Sequence, residues 1–429
     1  MNKGLIAGIL LVAGAAVVWM IGASQKQAPE SAPPAARSEG VKAKPEVKSQ
    51  KPPPPPPKDP WKEALDIAAS GSLEAVTKLA AKWRAQARDD AAFLRRLIEA
   101  VKDPATPFEA REIAAFVIGS LQNKEGLIAL ADALEKAEPG WAKTLLLALG
   151  SQKQSEDDDI FGLPDSPRVI RTPIGLTVEI RGRVIDDEVR TRMLTRLLAI
   201  SPGEVRWAAA LALGDSTDYE DVRQSFVTAL AIEADPAAQG ELAKALSTWA
   251  AGQSEEASDR RAVVGALFDG AKRVDAAALR LRSEDGLKRM TWTVAEIQSV
   301  APSIEAGPFD QRRWAMAVLS GAAARADTPA RNEIFKSLEW VAMSDTDAKM
   351  RELAVTSLSS FPENPRTQAV LIARLADGAW HVRAAAVRAM GRGTGGEPAL
   401  NALKKTRADD PDERVRRAAA EVLKVLTSK

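Results

Sequence analysis

The sequence has no cysteine and only one histidine among its 429 residues. These absences exclude thiol nucleophiles and cysteine-rich zinc sites, and nearly exclude histidine general bases. Neither a phosphate-binding Gly-x-x-x-x-Gly-Lys loop nor a Gly-x-Ser-x-Gly nucleophile elbow is present. His381, between Trp380 and Val382, is interpreted as a surface or packing residue at the start of a helix. We therefore predict no enzyme, and no catalytic, cofactor or metal site.

An excess of charge of one sign is also missing, because 59 basic residues face 58 acidic ones. Residues 1–59 carry eight basic and four acidic side chains, which leaves the remainder close to neutral. A protein that binds nucleic acid needs a basic surface to neutralise phosphates. No run of basic residues indicates such a surface, so we expect no nucleic-acid partner.

Residues 4–23 form an uncharged apolar run. About 20 such residues span a bilayer, so the sequence predicts a single-pass membrane anchor over residues 1–23. A cleaved signal peptide is the alternative, because small residues at 22–24 offer a cleavage site. The run exceeds the usual signal core of about 7 to 15 residues, which favours retention. Lys3 favours a cytoplasmic N-terminus with the rest of the chain in the periplasm or outside the cell.

Residues 24–59 are rich in Gln, Ser, Ala, Lys and Pro, and include six consecutive prolines at 52–57. This composition cannot build a core and predicts a disordered linker. The proline run should be a stiff polyproline rod of about 19 Å, at about 3.1 Å per residue. We interpret the segment as a tether, with a ligand for an SH3-type domain as the alternative.

Helical periodicity fills residues 60–429, beginning with Asp59 as an N-cap and Pro60 at the first helical position. An insertion at 151–184 interrupts it, with an acidic loop at 155–159 and two strand-like segments around Pro173. A second irregular stretch lies at 273–305, where Ser283–Gly286 is expected to break the repeat between helical segments at 276–281 and 292–300. The predicted helices outside this irregular stretch include 73–86, 89–102, 107–121, 124–137, 139–150, 186–200, 202–213, 218–233, 236–251 and 256–271.

The insertion predicts a β-hairpin within an otherwise helical fold. A lone hairpin is marginally stable in water, so its apolar residues Val169, Leu176, Val178 and Ile180 must pack against something. We expect them to pack on a neighbouring helix. A partner strand or an oligomer contact is the alternative.

One helical pattern recurs. The stretch from Asp377 to Gly391 reappears as Asp410–Leu423, and each copy is a turn followed by an amphipathic helix with a narrow, alanine-rich apolar stripe. Aligned arginines mark six copies, and the last three gaps are 38, 32 and 33 residues, which is the period of a helical solenoid. These arginines are Arg111, Arg206, Arg313, Arg351, Arg383 and Arg416.

In the last three copies an aspartate stands six residues before the arginine: Asp345, Asp377 and Asp410 precede Arg351, Arg383 and Arg416. This pattern resembles the HEAT-repeat family in its short bacterial form, most clearly over residues 345–429. The resemblance implies an all-α, right-handed α-solenoid in which these aspartates and arginines are structural and bond from repeat to repeat. No aspartate occupies that place before Arg111, Arg206 or Arg313, so we expect an incomplete ladder in the first two thirds.

Two tryptophans follow aligned arginines. The position after the arginine is polar or small in most copies, but it is Trp207 and Trp314 in two of them. Tryptophan is enriched at binding hot spots, so we predict that both are exposed and bind a partner. The alternative is that each fills a gap in the core.

Together these features predict a membrane-anchored, exported HEAT-repeat scaffold that binds a protein partner, in the envelope of a bacterium. A structural spacer that self-associates as a homo-oligomer is the second hypothesis. Bilin lyases are the enzymatic exception within this family, but the anchor and the absence of chromophore-handling residues argue against that activity.

Overall fold

The computed structural model describes residues 59–151, 161, 168–199, 201–254, 257, 259–393 and 396–427. The chain divides into two units, residues 1–57 and 58–429, and every described residue lies in the second. The predicted anchor at 1–23, the predicted tether up to residue 58 and the acidic loop at 155–159 lie outside the described residues. Within the described ranges, no helix combines the length and the hydropathy that a membrane crossing needs.

After a first helix, α1 (Pro60–Ala69), the helices alternate between two layers, here named A and B. The A layer contains α3 (Ala91–Lys102), α5 (Lys124–Glu135), α7 (Asp187–Leu198), α9 (Glu220–Ile232), α11 (Arg260–Ala271), α13 (Val294–Val300) with α14 (Pro302–Glu305), α16 (Thr328–Ser344), α18 (Pro365–Arg374) and α20 (Glu397–Asp409). The B layer contains α2 (Leu73–Asp89), α4 (Phe108–Ser120), α6 (Pro139–Gly150), α8 (Gly203–Leu213), α10 (Pro236–Gly252), α12 (Ala277–Arg289), α15 (Phe309–Ala322), α17 (Ala348–Leu358), α19 (Trp380–Met390) and α21 (Glu413–Thr427). A 3-10 turn, Gly214–Ser216, follows α8.

Each A helix packs on the B helix that follows it, and each layer stacks from repeat to repeat. Val382, Ala385 and Ala386 of the α19 stripe are buried, and α19 packs against both α17 and α21. Small residues such as these alanines permit a close approach of neighbouring helices. On the last helix, Ala418 and Val422 of the same stripe stay half-buried. The predicted α-solenoid is confirmed, and so is Asp59 as the N-cap of α1, which accepts a hydrogen bond from the Trp61 N–H at 3.0 Å.

The expected helix break at Ser283–Gly286 is wrong, because α12 runs unbroken through it. A β-carbon on Gly286 would lie 2.6 Å from the Ser247 hydroxyl of α10, so the glycine permits a close crossing of the two helices. Ser283 is buried and satisfies its hydroxyl by donating to the Leu279 carbonyl at 2.7 Å. These small residues are therefore packing residues and not a turn.

The predicted hairpin is present between α6 and α7. Strands β1 (Val169–Arg171) and β2 (Thr177–Glu179) pair antiparallel with Ile170 opposite Val178, and Phe161 forms an isolated bridge to Val178. Leu176, Val178 and Ile180 are completely buried, while Val169 is half-buried.

The hairpin packs on helices of its own chain, as expected. At one end the Arg181 N–H donates to the Gly150 carbonyl at 2.9 Å, and the Asp215 N–H donates to the Gly182 carbonyl at 2.8 Å. These bonds fix the segment after β2 to the C-terminal ends of α6 and α8. At its other end the turn reaches Leu73, the first residue of α2.

Candidate interaction surface

A ladder of charged hydrogen bonds connects the B helices of successive repeats. Arg351, in the first turn of α17, donates two hydrogen bonds of 2.8 Å to the Asp377 carboxylate, which precedes α19. Arg383 of α19 donates to Asp410 at 2.8 and 2.9 Å in the same way. Such two-pronged pairs fix geometry as well as charge. Arg351 and Arg383 are therefore each bonded to the next repeat.

Each rung is also fixed to its own loop. Asp377 accepts a 2.9 Å hydrogen bond from the Ala379 N–H, and Arg383 donates at 2.9 Å to the Asp377 carbonyl. Burial raises the pKa of Asp377, but the bonds from Arg351 and Ala379 outweigh it and hold that pKa below its usual range. Arg416 repeats the loop contact by donating to the Asp410 carbonyl at 2.7 Å.

The Asp345 carboxylate accepts its ladder hydrogen bond from Arg312, and not from Arg313, the arginine chosen in the sequence alignment. Arg313 points outward, with 58% of its side chain exposed. Sequence alignment on the pair Arg312–Arg313 admits two registers, and the structure selects the earlier one. This shift of one residue also changes the helix position of Trp314, which follows the ladder arginine by two residues instead of one.

We expected no ladder bond at Arg206, and this expectation is wrong. This arginine donates two 2.7 Å hydrogen bonds to Glu233, which accepts a third from the Asp235 N–H at 2.8 Å. A search restricted to aspartate misses this rung because glutamate takes the acidic role. At the corresponding place in α4, Arg111 stacks 4.3 Å from the ring centre of Trp141.

A second row of arginine–carboxylate pairs runs along the A helices, and sequence reasoning missed it. The signal was available, because arginines recur near the start of these helices at 190, 223 and 260. Three of the four arginines also stack on an aromatic ring, those of Tyr219, Trp249 and Phe361. The pairs are Arg190–Asp221, Arg223–Asp259, Arg260–Glu296 and Arg331–Glu363.

The two predicted anchor tryptophans occupy different environments. Trp314 is 3% exposed, donates from its indole nitrogen to the Arg280 carbonyl at 2.8 Å and packs against Phe268, so the expectation that it is exposed is wrong. It stands two residues after the true ladder arginine, where other B helices carry buried residues such as Ala208 and Ala385. The alternative interpretation of this residue, that it fills the core, is the one that fits.

Trp207 is half-buried in the second turn of α8. The Lys143 ammonium lies 5.7 Å from its ring centre and bonds Glu204 at 3.1 Å. Helices α10 and α12 stand between Trp207 and Trp314 in the B layer. The two tryptophans therefore do not form one surface.

The most exposed large hydrophobic side chains of the described residues lie elsewhere. Val274 is 92% exposed, and Ile232 and Leu281 are each 75% exposed. Arg273 donates to the Glu233 carbonyl at 2.6 Å, so the turn that carries Val274 lies beside the end of α9, which carries Ile232. Leu281 lies in the second turn of α12, the helix that follows Val274. Sequence periodicity does not find them, since each lies at a helix end or outside a stripe.

In the described ranges, no three His, Asp or Glu side chains converge as metal ligands. His381 lies in the first turn of α19, with Nδ1 3.0 Å from the Glu352 carboxylate. The pair is partly exposed at the surface of two neighbouring B helices.

Stacked helical pairs of this kind define an α-solenoid. The family model described as HEAT repeats matches residues 335–424, so this part of the chain carries HEAT repeats. This match confirms the resemblance seen in the Asp–Arg pattern. A search of curated proteins found no matching sequence.

Solved structures share the fold at low sequence identity. A Kap121p mutant matches with 15% identity and a TM-score of 0.56 over 87% of this chain and 41% of Kap121p. Importin β matches with 16% identity and a TM-score of 0.55 over 86% of this chain and 53% of importin β. Kap121p bound to Pho4p matches with 12% identity and a TM-score of 0.56. This chain thus spans about half or less of these proteins.

Proposed function

We propose that this protein is a membrane-anchored, exported scaffold whose solenoid binds a protein partner. The observation that carries the binding role is the high exposure of Ile232 at the end of α9, Val274 in the turn before α12 and Leu281 in α12, named here the apolar turn cluster. Exposed apolar side chains that group together mark interaction sites, and Arg273 joins the segments that carry Val274 and Ile232. Kap121p, which shares the fold, binds the protein Pho4p.

Anchoring and export rest on sequence alone. The apolar run at residues 4–23 is long enough to cross a bilayer, and the proline-rich linker would hold the solenoid away from the membrane.

Half-buried Trp207, on α8, is a second candidate contact of the same scaffold.

Crosslinking in cells followed by mass spectrometry tests the binding role. The wild type should crosslink to a second protein around residues 232–281, and the combined change Ile232→Glu, Val274→Glu, Leu281→Glu should remove that product without lowering the melting temperature. Val425→Glu, a change at another exposed aliphatic position, is the matched control. Crosslinks between copies of this chain alone would favour the self-associating spacer.

A reporter fusion tests location separately. A phosphatase that is active only outside the cytoplasm, fused after Lys429, should be active and should fractionate with membranes. An inactive fusion would overturn export, and a mature N-terminus near Gln25 would overturn the anchor.

A further inference from the structure

Arg416 of α21 repeats the ladder geometry without a carboxylate partner. In Arg351 and Arg383, Nη1 donates to two carbonyls of the preceding loop, at 2.9 and 3.2 Å in each case. Their Nε and Nη2 atoms donate to the aspartate of the next repeat. Arg416 makes the same pair of loop contacts, at 2.7 and 3.2 Å. Among the described residues, its Nε and Nη2 atoms have no hydrogen-bond acceptor.

The loop contacts hold the Arg416 guanidinium as the corresponding contacts hold the arginines of the earlier rungs. Its Nε and Nη2 atoms are named here the Arg416 fork. Two parallel N–H groups match the two oxygens of a carboxylate, and a side chain that is already held loses little freedom on binding. Arg416 is only half-buried, so a ligand group from outside the chain can reach the fork.

The acceptors of the ladder show which carboxylate fits this fork. Asp345, Asp377 and Asp410 each lie in the turn that follows an A helix. Each carboxylate accepts a hydrogen bond of 2.8 or 2.9 Å from the backbone N–H two residues later, which fixes its position. Glu233, the acceptor for Arg206, is held in the same way. The matching ligand is therefore an aspartate or glutamate in the turn at the end of a helix.

The side of α21 beside the fork is open and polar. Ala384 and Val387 of α19 are 1% and 0% exposed, but the residues 33 positions later, Arg417 and Ala420 of α21, are exposed. This side therefore carries a second cation next to Arg416. An apolar helix packed here would cover both arginines and leave them unpaired, which is costly, whereas an acidic turn would pair with them.

We propose that the Arg416 fork binds an acidic turn of a partner protein, whose carboxylate accepts from Nε and Nη2. A second copy of this chain stacked on α21 would not supply that group. The ladder aspartates of the last three repeats stand three residues before a B helix, and at that place before α2 the chain has Ser70. The partner is therefore a different protein. The site rests on the binding role proposed above, but it lies on another helix than the apolar turn cluster.

Photo-crosslinking of the full-length chain in cells tests the site. A benzophenone amino acid in place of Ala420, which is exposed one turn after Arg416, should form an adduct with a second protein. Mass spectrometry should place the adduct beside an aspartate or glutamate at the end of a helix. Changing that partner residue to its amide should lower the adduct yield about 10-fold or more, because a charged hydrogen-bonded pair is lost.

Two variants of Arg416 and a matched control separate the fork from its charge. Arg416→Gln removes the charge, and Arg416→Lys keeps the charge but lacks the two parallel donors. Both should lower the adduct yield about 10-fold or more. Arg313→Gln and Arg313→Lys are the controls, because Arg313 is an exposed arginine on another B helix, and they should leave the yield unchanged.

Several results would overturn the site. These are an adduct that persists in Arg416→Gln or in Arg416→Lys, an adduct far from any carboxylate of the partner, and an adduct with lipid, with nucleic acid or with a second copy of this chain. Absence of an adduct at residue 420, with crosslinks around residues 232–281 intact, would overturn this site alone. Loss of both sets of crosslinks would overturn the proposed binding role as well.

Discussion

In the repeats before the hairpin and in the repeats from residue 309 onward, neighbouring B helices are joined by different contacts. From α15 to α21, each B helix is joined to the next by an arginine and a carboxylate, as in the pairs Arg351–Asp377 and Arg383–Asp410. In α4 the aligned arginine stacks on Trp141 of α6 instead, 4.3 Å from its ring centre. The C-terminal B helices are therefore joined by repeated ion pairs, while α4 is joined to the next B helix by a cation–π contact.

The largest expected effect tests the C-terminal side of this comparison. Arg383→Ala leaves the Asp410 carboxylate buried without its partner, which should cost about 3 to 5 kcal/mol. Arg416→Ala removes contacts to backbone carbonyls alone and should cost about 1 kcal/mol. Chemical denaturation of both variants measures the difference. Equal losses would show that the carboxylate link contributes nothing beyond the loop contact.

The next effect tests where this region begins. Arg312→Ala should cost about 1.5 to 3 kcal/mol, because one charged hydrogen bond to Asp345 is lost. Arg313→Ala should change the unfolding free energy by less than about 0.5 kcal/mol, because the side chain is exposed. Denaturation curves of this neighbouring pair decide the register. The reverse order would restore the alignment on Arg313.

The response to low pH is a further test of the C-terminal ladder. The hydrogen bonds from Arg351 and Arg383 outweigh burial and lower the pKa values of Asp377 and Asp410. A lowered pKa contributes stability above the unfolded value of 3.8, and this stability is lost as the pH falls through the folded pKa. Hydrogen exchange below about pH 4 should therefore increase first in α17–α21. Asp377→Asn should weaken this acid response.

The smallest effect is spectroscopic. Trp314→Phe should remove a blue-shifted component that acrylamide quenches poorly, while Trp207→Phe should remove a component that it quenches readily, because the two rings differ in exposure. Each change removes one of ten tryptophans, so the difference must be taken between matched emission spectra. Identical difference spectra would mean that both rings share one environment.

Local periodicity predicted the helices and the C-terminal Asp–Arg pattern, because an alanine stripe and a turn aspartate lie within one repeat of sequence. It failed where the deciding neighbour is distant in the chain. In the sequence, Ser283–Gly286 is typical of a turn. In the structure it is helical, and Gly286 packs against Ser247 of α10. Glu112 occupies a repeat position that is polar in other copies, but it is only 1% exposed in the structure.

The candidate binding residues illustrate the same limit. Trp314 was misplaced by one residue of register, and the partner of Arg206 was missed because it is Glu233 and not an aspartate. The apolar turn cluster has no periodic signal, since exposure at a helix end depends on how the next repeat leaves that end uncovered.

The arrangement of the ladder bears on how such a chain can change in length. The segment from Asp345 to Ala376 contains one acceptor, Asp345, and one donor, Arg351, and each bonds to a different neighbour. A tandem duplication of this segment would supply the new copy with an acceptor for the preceding arginine and a donor for the following aspartate. No unpaired member of the B-helix ladder would be created at either junction. A gene encoding this protein could therefore gain or lose whole repeats in this region while keeping every rung satisfied.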